Sequence, residues 1–150
     1  MQENPVRVVV IEDCEDFLAA IQSLLAKQPD LRVVGTADNA GGAIRLIQET
    51  APDVLLLDMF LHEGSGMDVL QYFQAKQTQT AIVVMTSSPS PKLERLCRTF
   101  GAAAFYDKSD MAEWLPSIAR HVELQSAAVS AAAKTISAIP PQSHHRTRNR

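Results

Sequence analysis

Cysteine is scarce in this chain: there are two in 150 residues, Cys14 and Cys97, far apart and with no Cys-x-x-Cys spacing. A disulfide framework is thereby excluded, a zinc site is disfavoured, and a reducing cytosol fits. Aromatic residues make up only 5%, so the core must be built from Val, Ile, Leu and Ala. Long hydrophobic runs are missing as well. The first apolar stretch, Val6–Ile11, is six residues long and is followed at once by acids, too short for a signal segment or a membrane span. The expectation is a cytoplasmic protein with no membrane partner. A dominant sign of charge is also lacking, with 14 basic and 17 acidic residues and a net charge of −3. Such a balance gives no global attraction to nucleic acid or anionic lipid.

What is present suits one domain. The chain is 46% hydrophobic and 21% charged, enough for a real core and against disorder throughout. The charge is uneven: residues 1–121 hold 16 acids and 10 bases, whereas residues 122–150 hold Glu123 against Lys134, Arg146, Arg148 and Arg150. A domain over 5–122 and a tail over 123–150 are expected, Ala/Ser-rich at first and then basic. The stretch 126–139 extends the last helix or frays, Pro140-Pro141 ends any helix, and the remainder reads as disordered. That leaves no room for a DNA-binding output domain.

Four short apolar runs stand out: Val6–Ile11, Leu31–Val34, Val54–Leu57 and Ala81–Met85, with a weaker fifth at Ala103–Tyr106. Unbroken rather than alternating hydrophobicity marks strands buried on both faces, the habit of parallel sheets. Between the runs the period becomes helical. Phe17, Leu18, Ile21, Leu24 and Leu25 form one stripe, and Ala40, Ala43, Ile44 and Ile47 another. Met67, Leu70 and Phe73, then Leu93, Leu96, Cys97 and Phe100, complete the next two. The last segment places Met111, Trp114, Leu115, Ile118 and Val122 together, with Pro116 either kinking that helix or sitting in its first turn. Five βα units predict a doubly wound α/β sandwich, whose chemistry sits at the carboxyl ends of the strands.

The residues at those ends are unusual. The first strand ends in Glu12-Asp13, the third in Asp58, the fourth in Thr86-Ser87-Ser88, and Asp107-Lys108 follow the fifth. Three carboxylates converging at one spot repel unless a cation neutralises them, and an all-oxygen donor set favours a hard ion such as Mg²⁺. An aspartate nucleophile, a divalent cation, a lysine and a hydroxyl donor are the parts that phosphoryl transfer needs. Asp58, at the end of VLLLD, is the best candidate nucleophile, with Glu12 and Asp13 holding the metal. Any one of these acids alone reads as a helix cap or a solvated loop residue. Asp53 and Asp107 read as turn residues, and Asp16 as a first-turn acid favoured by the helix dipole.

The segments VVVIEDCEDF, VLLLDMFLHEGSGMDVL, VVMTSS and GAAAFYDKS resemble, in order and spacing, the receiver domains of two-component response regulators, over roughly residues 5–122. The resemblance implies a flavodoxin-like (βα)5 sandwich with a five-stranded parallel sheet, and a stand-alone regulator like those of chemotaxis. It implies that a sensor histidine kinase or phosphotransfer protein donates a phosphoryl group to Asp58, with Mg²⁺ required. Carried over by motif, Glu12 and Asp13 are the acidic pair. Asp13 and Asp58 bind the metal directly with the backbone carbonyl of Phe60. Thr86 resembles the switch hydroxyl, Lys108 the lysine that pairs with the phosphoryl group, and Phe105 the switch aromatic, with Tyr106 beside it. Signalling then passes through a surface of the fourth helix, fifth strand and fifth helix, toward a downstream protein or a second copy. Departures from the family pattern are Ser109 and the pair His62-Glu63, at positions where Pro is frequent, and a bulky Phe60 that would hinder attacking water.

The same residues bear on other functions. A phosphatase resembling the haloacid dehalogenases needs a second Asp two after the nucleophile, and that position is Phe60, so a turnover enzyme is not expected. A phosphorylation-independent pseudo-receiver serving as an interaction or dimerisation module is the main alternative. Nucleotide binding lacks both glycine-rich signatures, and Gly64-Ser65-Gly66 reads as a loop before a helix. Cys14, flanked by Glu12, Asp13 and Glu15, is badly placed for a thiolate nucleophile. Met59 and Met67 read as packing residues, His144-His145 as solvated tail, and Trp114 as half-buried.

Overall fold

Unbroken apolar runs become strands buried on both faces. The computed structural model describes residues 4–76 and 78–137. It contains β1 (Val6–Ile11), β2 (Leu31–Ala37), β3 (Val54–Asp58), β4 (Ala81–Thr86) and β5 (Ala104–Asp107). They form one sheet in the order β2-β1-β3-β4-β5, and every pairing is parallel. Helices α1 (Glu15–Ala26), α2 (Ala40–Thr50), α3 (Gly66–Lys76) and α4 (Pro91–Thr99) make the crossovers. This is the doubly wound (βα)5 sandwich expected from the sequence.

Successive side chains of a strand point to opposite faces, and the core divides accordingly. Val9, Ile11, Leu55, Leu57, Ile82 and Val84 pack with Ala43, Ile47, Val69, Leu70, Phe73 and Cys97 on the side of α2, α3 and α4. Val8, Val10, Leu56, Val83 and Met85 pack with Ile21 and Leu25 of α1 and with Trp114, Leu115 and Ile118 on the other. Burying each such large aliphatic contributes about 1.5–3 kcal/mol. Aliphatics supply most of this core, since β3 and β4 have no exposed residue at all, and Phe73 and Trp114 are its buried aromatics.

Three elements differ from the sequence expectation. β2 runs on past Val34 to Ala37, because its register against β1 shifts between Val8 and Val9 and brings Gly35, Thr36 and Ala37 into the ladder. β5 lies one residue later than expected and takes in Asp107. The segment after it is not one kinked helix. A 3₁₀ turn (Lys108–Asp110), the single-turn α5 (Met111–Trp114), a second 3₁₀ turn (Leu115–Ser117) and α6 (Ala119–Ser137) follow in series. Pro116 has no N–H to bond back to Ala112, so the α-helix breaks there and restarts beyond it.

Trp114 is buried rather than half-buried, at 5% exposure. The Ala/Ser-rich stretch is helical, not frayed, as far as Ser137, in keeping with the high helix propensity of alanine. Pro140-Pro141, His144-His145 and the three terminal arginines lie outside the described residues. Among the described residues no helix is long and apolar enough to cross a membrane.

Where α6 leaves the body, His121 Nε2 lies 2.8 Å from the Tyr106 hydroxyl. Burial first, and then the charges of Arg120 and Arg98, hold this imidazole below its ordinary value of 6.5. The unfolded chain therefore binds a proton that the folded protein refuses, and stability falls as pH drops below 6.5 through the folded value. The urea midpoint is expected to fall between about pH 7 and about pH 5, and His121→Gln to flatten that slope.

Candidate functional site

The carboxyl ends of β1, β3 and β5 bring together groups more than ninety residues apart in sequence. Carboxylate oxygens of Glu12, Asp13 and Asp58 all lie within 4.8 Å of one another. Lys108, at the start of the 3₁₀ turn after β5, puts its Nζ 2.5 Å from Glu12 Oε2 and 3.2 Å from Asp58 Oδ2. Glu12 and Asp58 are 1% and 4% exposed, so their mutual repulsion is poorly screened by solvent and the lysine charge offsets it. The strand register makes this arrangement. Asp58 pairs with Met85 and Thr86 with Asp107, which sets Thr86 one step along β4 and Lys108 one step past β5.

Local hydrogen bonds fix each carboxylate. Glu12 Oε1 accepts the Cys14 N–H at 3.0 Å, Asp58 Oδ1 the Phe60 N–H at 3.1 Å, and Asp13 Oδ2 the His62 N–H at 2.8 Å. The His62 imidazole also approaches Asp13, Nε2 to Oδ2 at 3.4 Å. Burial raises the Glu12 carboxyl above its usual value, with Asp58 adding to that and Lys108 and the Cys14 N–H opposing it. For Lys108, burial works toward a lower value, but Glu12 and Asp58 together outweigh it and hold the ammonium above 10.5. The lysine thus stays charged throughout the neutral range.

The cluster suits a hard divalent cation on its own chemistry. Its donors are all oxygens, and three carboxylates meet there with the Lys108 ammonium set against Glu12 and Asp58. A cleft of about 370 Å³, lined by Glu12, Asp13, Thr36 and Asp38 among others, opens beside the acids. A larger cavity of about 530 Å³ lies at the opposite end of the strands. Its inner polar groups are already engaged, with Asp53 Oδ2 accepting the Arg7 N–H and Thr80 Oγ1 donating to the Pro52 carbonyl.

Of the other residues singled out in the sequence, Thr86 is wholly buried, and its Oγ1 accepts the Ser88 N–H at 3.1 Å. Phe105 is half-buried on the α4 side of the sheet and Tyr106 on the α1 side. A cavity of about 300 Å³ adjoins Phe105, bounded by Pro89, Pro91 and Glu94. Phe60 is 60% exposed. Asp107 is a structured turn residue: its Oδ1 accepts both the N–H and the hydroxyl of Ser109, which lowers its pKa.

Two residues that position the site escaped sequence reasoning. Phe17 lies in the α1 stripe, yet its ring sits 4.5 Å from Lys108 Nζ, a cation–π contact that no spacing rule reveals. Gly66 is more than the end of a loop: its N–H donates to the Met59 carbonyl at 3.1 Å. A Cβ there would lie 2.5 Å from the Asp58 carbonyl oxygen and 2.7 Å from Met59 Cα, and neither backbone atom can swing aside. Gly66→Ala is expected to cost about 2 kcal/mol, read as a lower denaturant midpoint, because it overpacks the chain directly behind Asp58.

Comparison with known proteins agrees with this geometry. The family model described as the response regulator receiver domain matches residues 8–119. Among curated proteins, a protein-glutamate methylesterase/protein-glutamine glutaminase of Koribacter versatilis is 29% identical over 70% of this chain and 29% of its own length. The transcriptional regulatory protein LiaR of Bacillus subtilis is 30% identical over 55% of this chain and 39% of its own. The match thus spans well under half the length of these relatives. Among solved structures, the signal receiver domain of NarL from Mycobacterium tuberculosis superposes with a TM-score of 0.69 at 26% identity, covering 87% of this chain and 98% of that one. The response regulator domain of Thermotoga maritima CheB, with a TM-score of 0.73, is 21% identical over 80% of this chain and 98% of its own, and shares the fold. A model that matches from β1 into α6 leaves one assignment: the chain belongs to the response regulator receiver domain family.

Proposed function

We propose that residues 5–122 form a phosphoacceptor module, which takes a phosphoryl group onto Asp58 from a histidine kinase or phosphotransfer protein and signals by a change of surface. The observation that carries this reading is the buried meeting of Glu12, Asp13, Asp58 and Lys108 at the strand ends. An Asp58 carboxylate oxygen attacks phosphorus, the bond from phosphorus to the donor nitrogen or oxygen breaks, and the donor leaves with that electron pair. Lys108, already 3.2 Å from Asp58 Oδ2, pairs with the incoming phosphoryl oxygens. Glu12, Asp13, Asp58 and the Phe60 carbonyl are the proposed ligands for Mg²⁺. Bound there, the ion offsets charge on the transferring group.

Phosphorylation adds a charge of about −1.5 to −2 and three acceptor oxygens. Thr86 and Lys108 turn toward them, and Phe105 moves to fill the space behind Thr86. The cavity of about 300 Å³ beside Phe105 gives the ring room for a second position. The surface of α4, β5 and the segment after it changes with it and presents itself to a downstream protein or a second copy. The module does not turn over a substrate, since Phe60 stands where an acid/base aspartate would be needed. Cys14 and Cys97 are both free, which fits a cytoplasmic setting.

The test is intact mass after incubation with Mg²⁺ and a small acyl or amido phosphate. A gain of one phosphate supports the reading, and no gain shifts the weight to a phosphorylation-independent interaction module.

A further inference from the structure

Lys108 is the cation that holds Glu12 and Asp58 together, yet it stands on a short 3₁₀ turn with little of its own to fix it. The Asp107 side-chain bonds to Ser109 are exposed to solvent and add little rigidity. The firmer contact comes from behind. The Trp114 indole N–H donates to the carbonyl oxygen of Asp107 at 2.8 Å, one peptide before Lys108. The indole is 5% exposed and lies flat on Tyr106, with centroids 5.0 Å apart and planes 3° from parallel. Tyr106 is tied in turn through its hydroxyl to His121 Nε2 on α6, at 2.8 Å. The ring therefore has one orientation, and that orientation aims its only donor at the backbone of the lysine turn.

The geometry points to Trp114 as a positioning residue for Lys108, setting the backbone from which the ammonium reaches Glu12 and Asp58. Phe17 limits the same ammonium from the α1 side, so the tip of the lysine is held by one aromatic and the backbone before it by another. As it concerns phosphoryl transfer, this inference rests on the phosphoacceptor reading; as it concerns the placement of Lys108, it does not.

Trp114→Phe keeps a stacked ring and removes only the donor. With one net hydrogen bond lost, Lys108 should be freed from its ion pair and acylated by an amine-reactive ester about fivefold faster than in wild type. The exposed Lys76 and Lys92, measured by peptide mass in the same digest, should be unaffected. The phosphate-uptake rate should drop by a similar factor. Acylation of Lys108 at the wild-type rate in the folded variant overturns the proposal. Should Trp114→Phe fail to fold, Tyr106→Leu, which removes the stacking partner and leaves the indole, is read in the same way. A wild type that takes up no phosphate overturns the phosphoacceptor reading, while the acylation comparison still decides the role of Trp114. Trp114 is the single tryptophan of the chain, so its emission reports the same contact and should change on phosphorylation.

Discussion

Replacing Lys108 by methionine should lower folding stability by about 2–3 kcal/mol, measured as a fall in the denaturant midpoint of the metal-free protein. The lysine side chain is 12% exposed, and those of Glu12 and Asp58 are 0% and 5%. Methionine keeps most of the stem and its contact with Phe17, so the change isolates the charge. Removing one partner of a buried pair leaves the other charge desolvated and uncompensated, which costs more than the pair contributed. The cost is capped because Glu12, already pushed up by burial, escapes it by taking a proton. The loss should therefore be smaller at acid pH than at neutral pH. Mg²⁺ should restore part of the lost stability by supplying charge to the same carboxylates. An unchanged midpoint would mean that the ion pair in the structure carries no energetic weight.

Asp58→Asn is expected to abolish phosphate uptake while shifting stability by about 1 kcal/mol or less. The two effects differ because they have different origins. An amide has no anionic oxygen to form the acyl phosphate, so uptake is lost outright. For stability, the lost attraction to Lys108 at 3.2 Å is set against relief of the repulsion that Asp58 exerts on Glu12. The Mg²⁺ response should weaken too. In wild type, a hundredfold excess of Mg²⁺ over its dissociation constant should stabilise by about 2.7 kcal/mol. The variant, short of one carboxylate, should need far more metal for the same gain. Retained uptake in Asp58→Asn would move the acceptor to another residue.

Much of this molecule could be read in advance, and the physical reason differs from element to element. β3 and β4 are legible because burial on both faces leaves no polar position to interrupt the apolar run, and β1 because only Arg7 does so. β2 reads only to Val34, since Gly35 and Thr36 bound its apolar run and join the ladder through the register shift against β1. The acids at the strand ends were visible because a parallel sheet gathers those ends, and the resemblance to receiver domains supplied their roles. The supports were not visible. Gly66 resembled any loop glycine, Phe17 any stripe residue and Trp114 any half-buried aromatic. What each does depends on an atom far away in sequence: the Asp58 carbonyl, the Lys108 ammonium or the Asp107 carbonyl. Periodicity carries no information about such contacts.

The central claim is that Asp58 itself accepts the phosphoryl group, and the direct measurement locates the modification. Protein treated with Mg²⁺ and a small phosphodonor is reduced with borohydride, which converts an aspartyl phosphate to homoserine, and is then digested and sequenced by mass spectrometry. The account predicts homoserine at position 58 alone, dependent on both Mg²⁺ and the phosphodonor. Homoserine at another aspartate, or none anywhere in folded protein, would contradict it.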